Sequence, residues 1–187
     1  WAALGTAVLA SAGCAVWRVG QASELARRSE PFEQRPEMAT QRLLIVGDST
    51  AVGTGASSPT QSLAGLIARA QPHLLIENRA RDGALFADVA EQLLRPGRFD
   101  AVLVQAGGND VIRLRSESAM RQDIDRLLDA ARQRADVVIV MPAGNVGNAP
   151  FFFAPWSWWM THRAREMHRL AESASARANA TYVKLFE

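Results

Sequence analysis

Short runs of aliphatic side chains recur along this chain, and each is separated from the next by a segment of helical periodicity. Leu43-Leu44-Ile45-Val46 is closed by Gly47; Leu74-Leu75-Ile76, Ala101-Val102-Leu103-Val104, Val137-Val138-Ile139-Val140 and Tyr182-Val183-Lys184-Leu185-Phe186 repeat the theme. Between them, Pro59 to Gln71 carries Leu63, Leu66, Ile67 and Ala70 on one face. Ala84 to Leu94 carries Leu85, Val89 and Leu93 and stops at Pro96-Gly97. Glu117 to Arg134 places Met120, Ile124, Leu127, Leu128 and Ala131 together, and Trp158 to Ala178 reads as a long helix. Five strands alternating with four helices predict a parallel sheet with right-handed crossovers. The runs are continuously apolar rather than alternating, as they are when both faces of a sheet are covered. The expected fold is α/β: a flavodoxin-like three-layer α/β/α sandwich with a five-stranded parallel sheet, formed by residues 41–187. Sites in such folds lie beyond the carboxyl ends of the strands, here in loops 47–58, 78–84, 106–116 and 142–157.

Composition narrows the function. Hydrophobic residues make up 48% and charged residues 21%, the balance of a globular chain. The net charge is only +2 and no basic stripe accompanies it, so no nucleic-acid partner is expected. The single cysteine, Cys14, excludes an internal disulfide and a cysteine-based zinc cluster. Residues 1–17 carry no charge. They fit a signal peptide with Ala10-Ser11-Ala12 as cleavage site, an uncleaved membrane anchor, a lipoprotein signal ending at Cys14, or a buried helix. Membrane association or export is the expectation, with the side of the membrane open. Residues 18–40 are polar, are interrupted by Pro31 and Pro36, and read as a linker.

Three loops carry candidate chemistry. Ser49 directly follows the first strand, where a turn exposes its hydroxyl and its own N–H to one space. Asn78-Arg79-Ala80-Arg81-Asp82-Gly83 follows the second strand, and a glycine there lets a backbone N–H approach a ligand. Gly107-Gly108-Asn109-Asp110 follows the third, presenting an amide suited to a developing oxyanion. No phosphate-binding pattern competes, since neither G-x-x-x-x-G-K-[ST] nor G-x-G-x-x-G is present. In the fourth loop three Phe and three Trp crowd between Phe151 and Trp159. Phe151, Phe152, Trp156 and Trp158 are candidates for packing under the long helix, binding an acyl chain, or touching a membrane.

Taken together, Gly47-Asp48-Ser49, Asn78-x-x-x-x-Gly83 and Gly107-Gly108-Asn109-Asp110, in this order after successive strands, resemble the SGNH hydrolases, or GDSL-type lipases and esterases. The run Gly47-Asp48-Ser49-Thr50-Ala51-Val52-Gly53 resembles a bacterial subgroup. The resemblance implies Ser49 as nucleophile. It implies an oxyanion hole made of the Ser49 N–H, the Gly83 N–H and the Asn109 side chain. It also implies small-molecule or lipid ester or thioester substrates, and no metal or cofactor. The family's D-x-x-H block, source of the base histidine, is not reached by Glu187, so the base is expected beyond that residue. His73, His162 and His168 have Ala70, Trp159 and Arg165 three residues before them, not Asp, and read as ordinary surface or interface histidines. By itself this stretch is expected to be catalytically silent, with part of one sheet face uncovered. Two other functions fit the same shape: a non-catalytic ligand-binding domain, and an acyltransferase to carbohydrate.

Overall fold

The computed structural model describes residues 29–186. The expectations for residues 1–17, and for the linker before residue 29, lie outside the described residues. Five strands, β1 (Gln41–Gly47), β2 (Leu74–Asn78), β3 (Phe99–Gln105), β4 (Ala135–Val140) and β5 (Thr181–Tyr182), form one parallel sheet in the order β2-β1-β3-β4-β5. This is the doubly wound order expected, with the crossovers reversing direction between β1 and β3. The six α-helices among the described residues are α1 (Ser49–Val52), α2 (Leu63–Ala70), α3 (Phe86–Gln92), α4 (Gly108–Ile112), α5 (Glu117–Arg132) and α6 (Trp156–Arg177).

The apolar runs divide their side chains between the two faces because successive residues of a strand point opposite ways. Leu44, Val46, Val102, Val104, Val138 and Val140 meet α3, α5 and α6, burying Phe86, Leu93, Ile124, Leu127, Met167 and Leu170. Each such large side chain contributes about 1.5–3 kcal/mol. Leu43, Ile45, Ile76 and Leu103 face the other way, against Ala51, Val52, Ala64 and Ala68 of α1 and α2. That second layer is thinner. Ile139 and Met141 are only partly buried against it and Val137 is 49% exposed. Among the described residues no helix covers this face over β4.

The element boundaries differ from those expected, for local reasons. The segment from Pro59 to Gln71 splits into a single 3-10 turn (Pro59–Gln61) and α2. Ser62 divides them: its Oγ donates to the Pro59 carbonyl at 2.7 Å and accepts from the Gly65 N–H at 3.2 Å, an N-cap. Helix α3 begins at Phe86 rather than Ala84, because Asp88 Oδ2 accepts from the Leu85 N–H at 2.8 Å and fixes the start there. Helix α4 was not expected at all within loop 106–116. Strand β5 keeps two residues rather than five; past the Val183 N–H, which still donates to Val140, the chain leaves the edge of the sheet. At the opposite edge, the Gln34 and Ile76 N–H groups donate to each other's carbonyls at 3.0 and 2.9 Å. Phe32 packs beneath that bridge, so this part of the expected linker is tied to the β2 edge.

Candidate active site

The sequence places Ser49 at the first position of α1, immediately past the carboxyl end of β1. Asp48 caps that helix: its Oδ1 accepts from the Thr50 N–H at 2.8 Å, and its own N–H donates to Gln105 O at 2.9 Å. Ser49 is therefore held by both central strands. Its hydroxyl and its N–H make no hydrogen bond among the described residues, and its side chain opens into a cleft of about 510 Å³. Thr50, Gly53, Gln61, Gln105, Met141 and Leu185 help to line it. Through Leu185, the chain after β5 borders the Ser49 cleft.

Asn109 sits on α4, and α4 grips the loop that carries Gly83. Asn109 Nδ2 donates to Ala84 O at 3.1 Å, Asp110 Oδ2 accepts from the Phe86 N–H at 3.1 Å, and Arg113 Nη2 donates to Gly83 O at 3.0 Å. Gly83 adopts φ 72°, a left-handed conformation natural to glycine. Its N–H has no partner among the described residues. The Gly83 carbonyl is thus engaged while its N–H is not; Gly83 lines a hollow with Asp82, Asp88 and Glu91, and neither it nor Asn109 lines the Ser49 cleft. One hydrogen of the Asn109 amide is used and one remains. The first loop is linked in as well, since the Arg81 N–H donates to Gly47 O and Thr54 Oγ1 donates to Asp82 at 2.6 Å. The three loops that carry Ser49, Gly83 and Asn109 are consequently joined into one rim.

Several residues that build this rim carry no role in the sequence reading. Asn78 Nδ2 donates to Ala51 O and its Oδ1 accepts from the Ala80 N–H, holding α1 to the loop after β2. Gln92 spans both backbone groups of Gly47, accepting from its N–H at 2.8 Å and donating to its carbonyl at 2.9 Å. The available signal was a polar side chain on the apolar face of a helix, one turn after Val89. Two buried carboxyls flank the site. Burial raises Asp48 to a pKa of about 6 against the pull of the Thr50 hydrogen bond. Burial likewise raises Asp110 to about 6, opposed by the Phe86 N–H and by Arg115. Among the described residues no group of three or more His, Cys, Asp or Glu is arranged to hold a metal ion.

None of the three histidines lines the Ser49 cleft. His73 lies at the start of β2, the opposite end of the sheet. His162 is exposed in a hollow with Trp159, Arg163 and Glu166. His168 departs from the surface reading: it is buried on α6, its Nε2 donating to Ala143 O at 2.7 Å and its Nδ1 accepting from the Tyr182 hydroxyl at 2.5 Å. The carbonyl can only accept, which fixes the tautomer, and burial lowers the histidine's pKa, favouring the neutral ring. It ties α6 to β5 and to the loop after β4. The aromatic candidates lie outside the cleft too. Phe151 and Phe152 are half-buried, edge to face at 4.7 Å, and Phe152 packs on the main core. Trp156 and Trp158 are 60% and 72% exposed on the first turn of α6.

Comparison with known proteins agrees with this fold. Residues 45–187 match the family model described as GDSL-like lipase/acylhydrolase. No match is found among curated proteins. Among solved structures, the chain is similar to LAE5, an alpha/beta hydrolase enzyme from the metagenome of Lake Arreo, with 18% identity and a TM-score of 0.61. That match covers 79% of this chain and 78% of the other. A variant of Axe2, an acetyl xylan esterase from Geobacillus stearothermophilus, gives 17% identity and a TM-score of 0.59 over 79% and 77% of the two chains. AlinE4, a SGNH-hydrolase family esterase, gives 21% identity and a TM-score of 0.57 over 80% and 77%. At these identities the structures speak for the fold, and the family model speaks for the lineage. With its serine, glycine and asparagine loops gathered at the switch point of the sheet, the chain belongs to the GDSL-like lipase/acylhydrolase family of ester hydrolases.

Proposed function

We propose that this protein cleaves carboxylic ester or thioester bonds through an acyl-enzyme on Ser49. The observation that carries the reading is the joined rim, which ties together the loops of Ser49, Gly83 and Asn109 and leaves the Ser49 hydroxyl and N–H, the Gly83 N–H and one Asn109 amide hydrogen unspent. Ser49 Oγ attacks the carbonyl carbon, its proton passing to a base. The carbonyl oxygen takes the negative charge and receives the three donors. The intermediate collapses as the bond to the alcohol or thiol breaks and the leaving group takes a proton. Water then attacks the acyl-serine by the same route and regenerates the hydroxyl.

A serine hydroxyl needs a base to become a useful nucleophile. In this reading the base is the histidine of a D-x-x-H block beyond Glu187, a placement supported by Leu185, which already lines the Ser49 cleft. Small-molecule and lipid esters are the proposed substrates, reached through the open cleft. The test is turnover of short p-nitrophenyl esters by the full-length protein. Ser49→Ala is expected to abolish it, and Asn109→Ala to slow it about 10²–10³-fold, the usual loss on removing one oxyanion donor. Undiminished turnover by the Ser49→Ala protein would end the proposal.

A further inference from the structure

We propose that the rim of the domain beyond the carboxyl ends of the strands docks on an anionic lipid bilayer, bringing the Ser49 cleft to ester groups at the membrane surface. The inference rests on the hydrolase reading for its consequence, but not for the docking itself. Six exposed large apolar side chains gather on this rim: Ile112 and Leu114 after β3, and Phe153, Trp156, Trp158 and Trp159 after β4. Scattered exposed hydrophobics are ordinary, whereas a connected group of them marks an interaction surface. Contacts connect the middle of this group. Trp156 and Trp159 meet edge to face at 5.5 Å, and the Arg163 guanidinium lies 5.7 Å from the Trp159 ring. Arg163 in turn donates to Arg115 O, next to Leu114.

Charge favours a bilayer over a second protein. Arg113 and Arg163 have no carboxylate partner among the described residues. The two acids that share a hollow with Trp159 and Arg163 are already engaged: Glu117 by Arg121 and Arg169, and Glu166 by Arg169. Tryptophans mixed with unpaired arginines are the composition of an interfacial surface, with rings at headgroup level and cations against anionic lipid. The amino-terminal segment adds a second line. Ser29 and Glu30 share a cavity with Gly53, Ala56 and Pro59, so the chain enters the described domain beside the Ser49 loop. The described chain therefore begins on the carboxyl-end side of the sheet, the side of this rim.

Amide hydrogen exchange of the full chain tests this directly, with phosphatidylcholine vesicles containing phosphatidylglycerol and with vesicles of phosphatidylcholine alone. Anionic vesicles are expected to slow exchange at 110–115 and 153–159 at least tenfold and to leave 94–97 and 137–139 unchanged. Trp156→Glu with Trp158→Glu is expected to abolish that protection at 110–115, even where residues 1–17 keep the protein on the vesicle. Ser49→Ala is expected to retain it, which separates docking from catalysis. Protection confined to residues 1–17 would overturn the proposal. So would protection that follows protein concentration without lipid, which would mean a second copy as occupant.

Discussion

Asn109 spends one hydrogen of its amide nitrogen on Ala84 O, and in the proposed mechanism the other is left for substrate. Its neighbour Asp110 extends the grip, and its Oδ1 is buried without a partner among the described residues. The carboxyl is raised from 3.8 to about 6, so the folded protein prefers its protonated form. The stability this gives is complete below pH 3.8 and is lost as pH rises through 6, a difference of at most about 3 kcal/mol. Asp110→Asn keeps an acceptor for the Phe86 N–H and cannot ionise. Relative to the native chain it is expected to gain stability by up to that amount between pH 4 and pH 7. Urea midpoints across this range check it, and a flat difference would show that Asp110 does not titrate as described. Ser49, Gly83 and Asn109 stand out as candidates in the sequence because each lies in a polar loop after an apolar run and the three motifs together match the family pattern. Gln92 and Asn78 were not assigned, because their partners lie 45 and 27 residues away and only the fold brings them near.

The strands were the most legible elements, since burial on both faces leaves an uninterrupted aliphatic run and little else produces one. Helix ends were less so, because Ser62 and Asp88 fix them through single hydrogen bonds. Helix α4 escaped notice because five residues hold too little periodicity to register. It depends on Gly107, whose φ is 111° and where an added Cβ would lie 2.8 Å from Phe86 and 2.9 Å from Met167. Gly107→Ala is therefore expected to lower unfolding free energy by about 1–3 kcal/mol and to disturb Asn109 with it. Denaturant titration reads the first effect, and loss of turnover beyond the loss of folded protein reads the second. An unchanged midpoint would mean that α4 accommodates the methyl group without moving.

At the scale of the whole molecule, the strand order places its reversal between β1 and β3, and Ser49 and Asn109 follow those two strands. Candidate site and topology thus coincide, which is why the order of three short motifs pointed to the family and its fold. The unequal cover of the two sheet faces, with Val137 exposed over β4, matches the expectation of a partly bare face. The aromatic cluster was visible as composition, but its separation from the cleft was not, since only the direction of α6 decides which way the tryptophans face. Everything functional converges on the reactivity of one hydroxyl. The most direct measurement is peptide mass spectrometry of the full-length protein after treatment with a fluorophosphonate. The account predicts a single adduct on Ser49, absent from the Ser49→Ala protein. An adduct on another residue, or none on a protein that still hydrolyses esters, would contradict it.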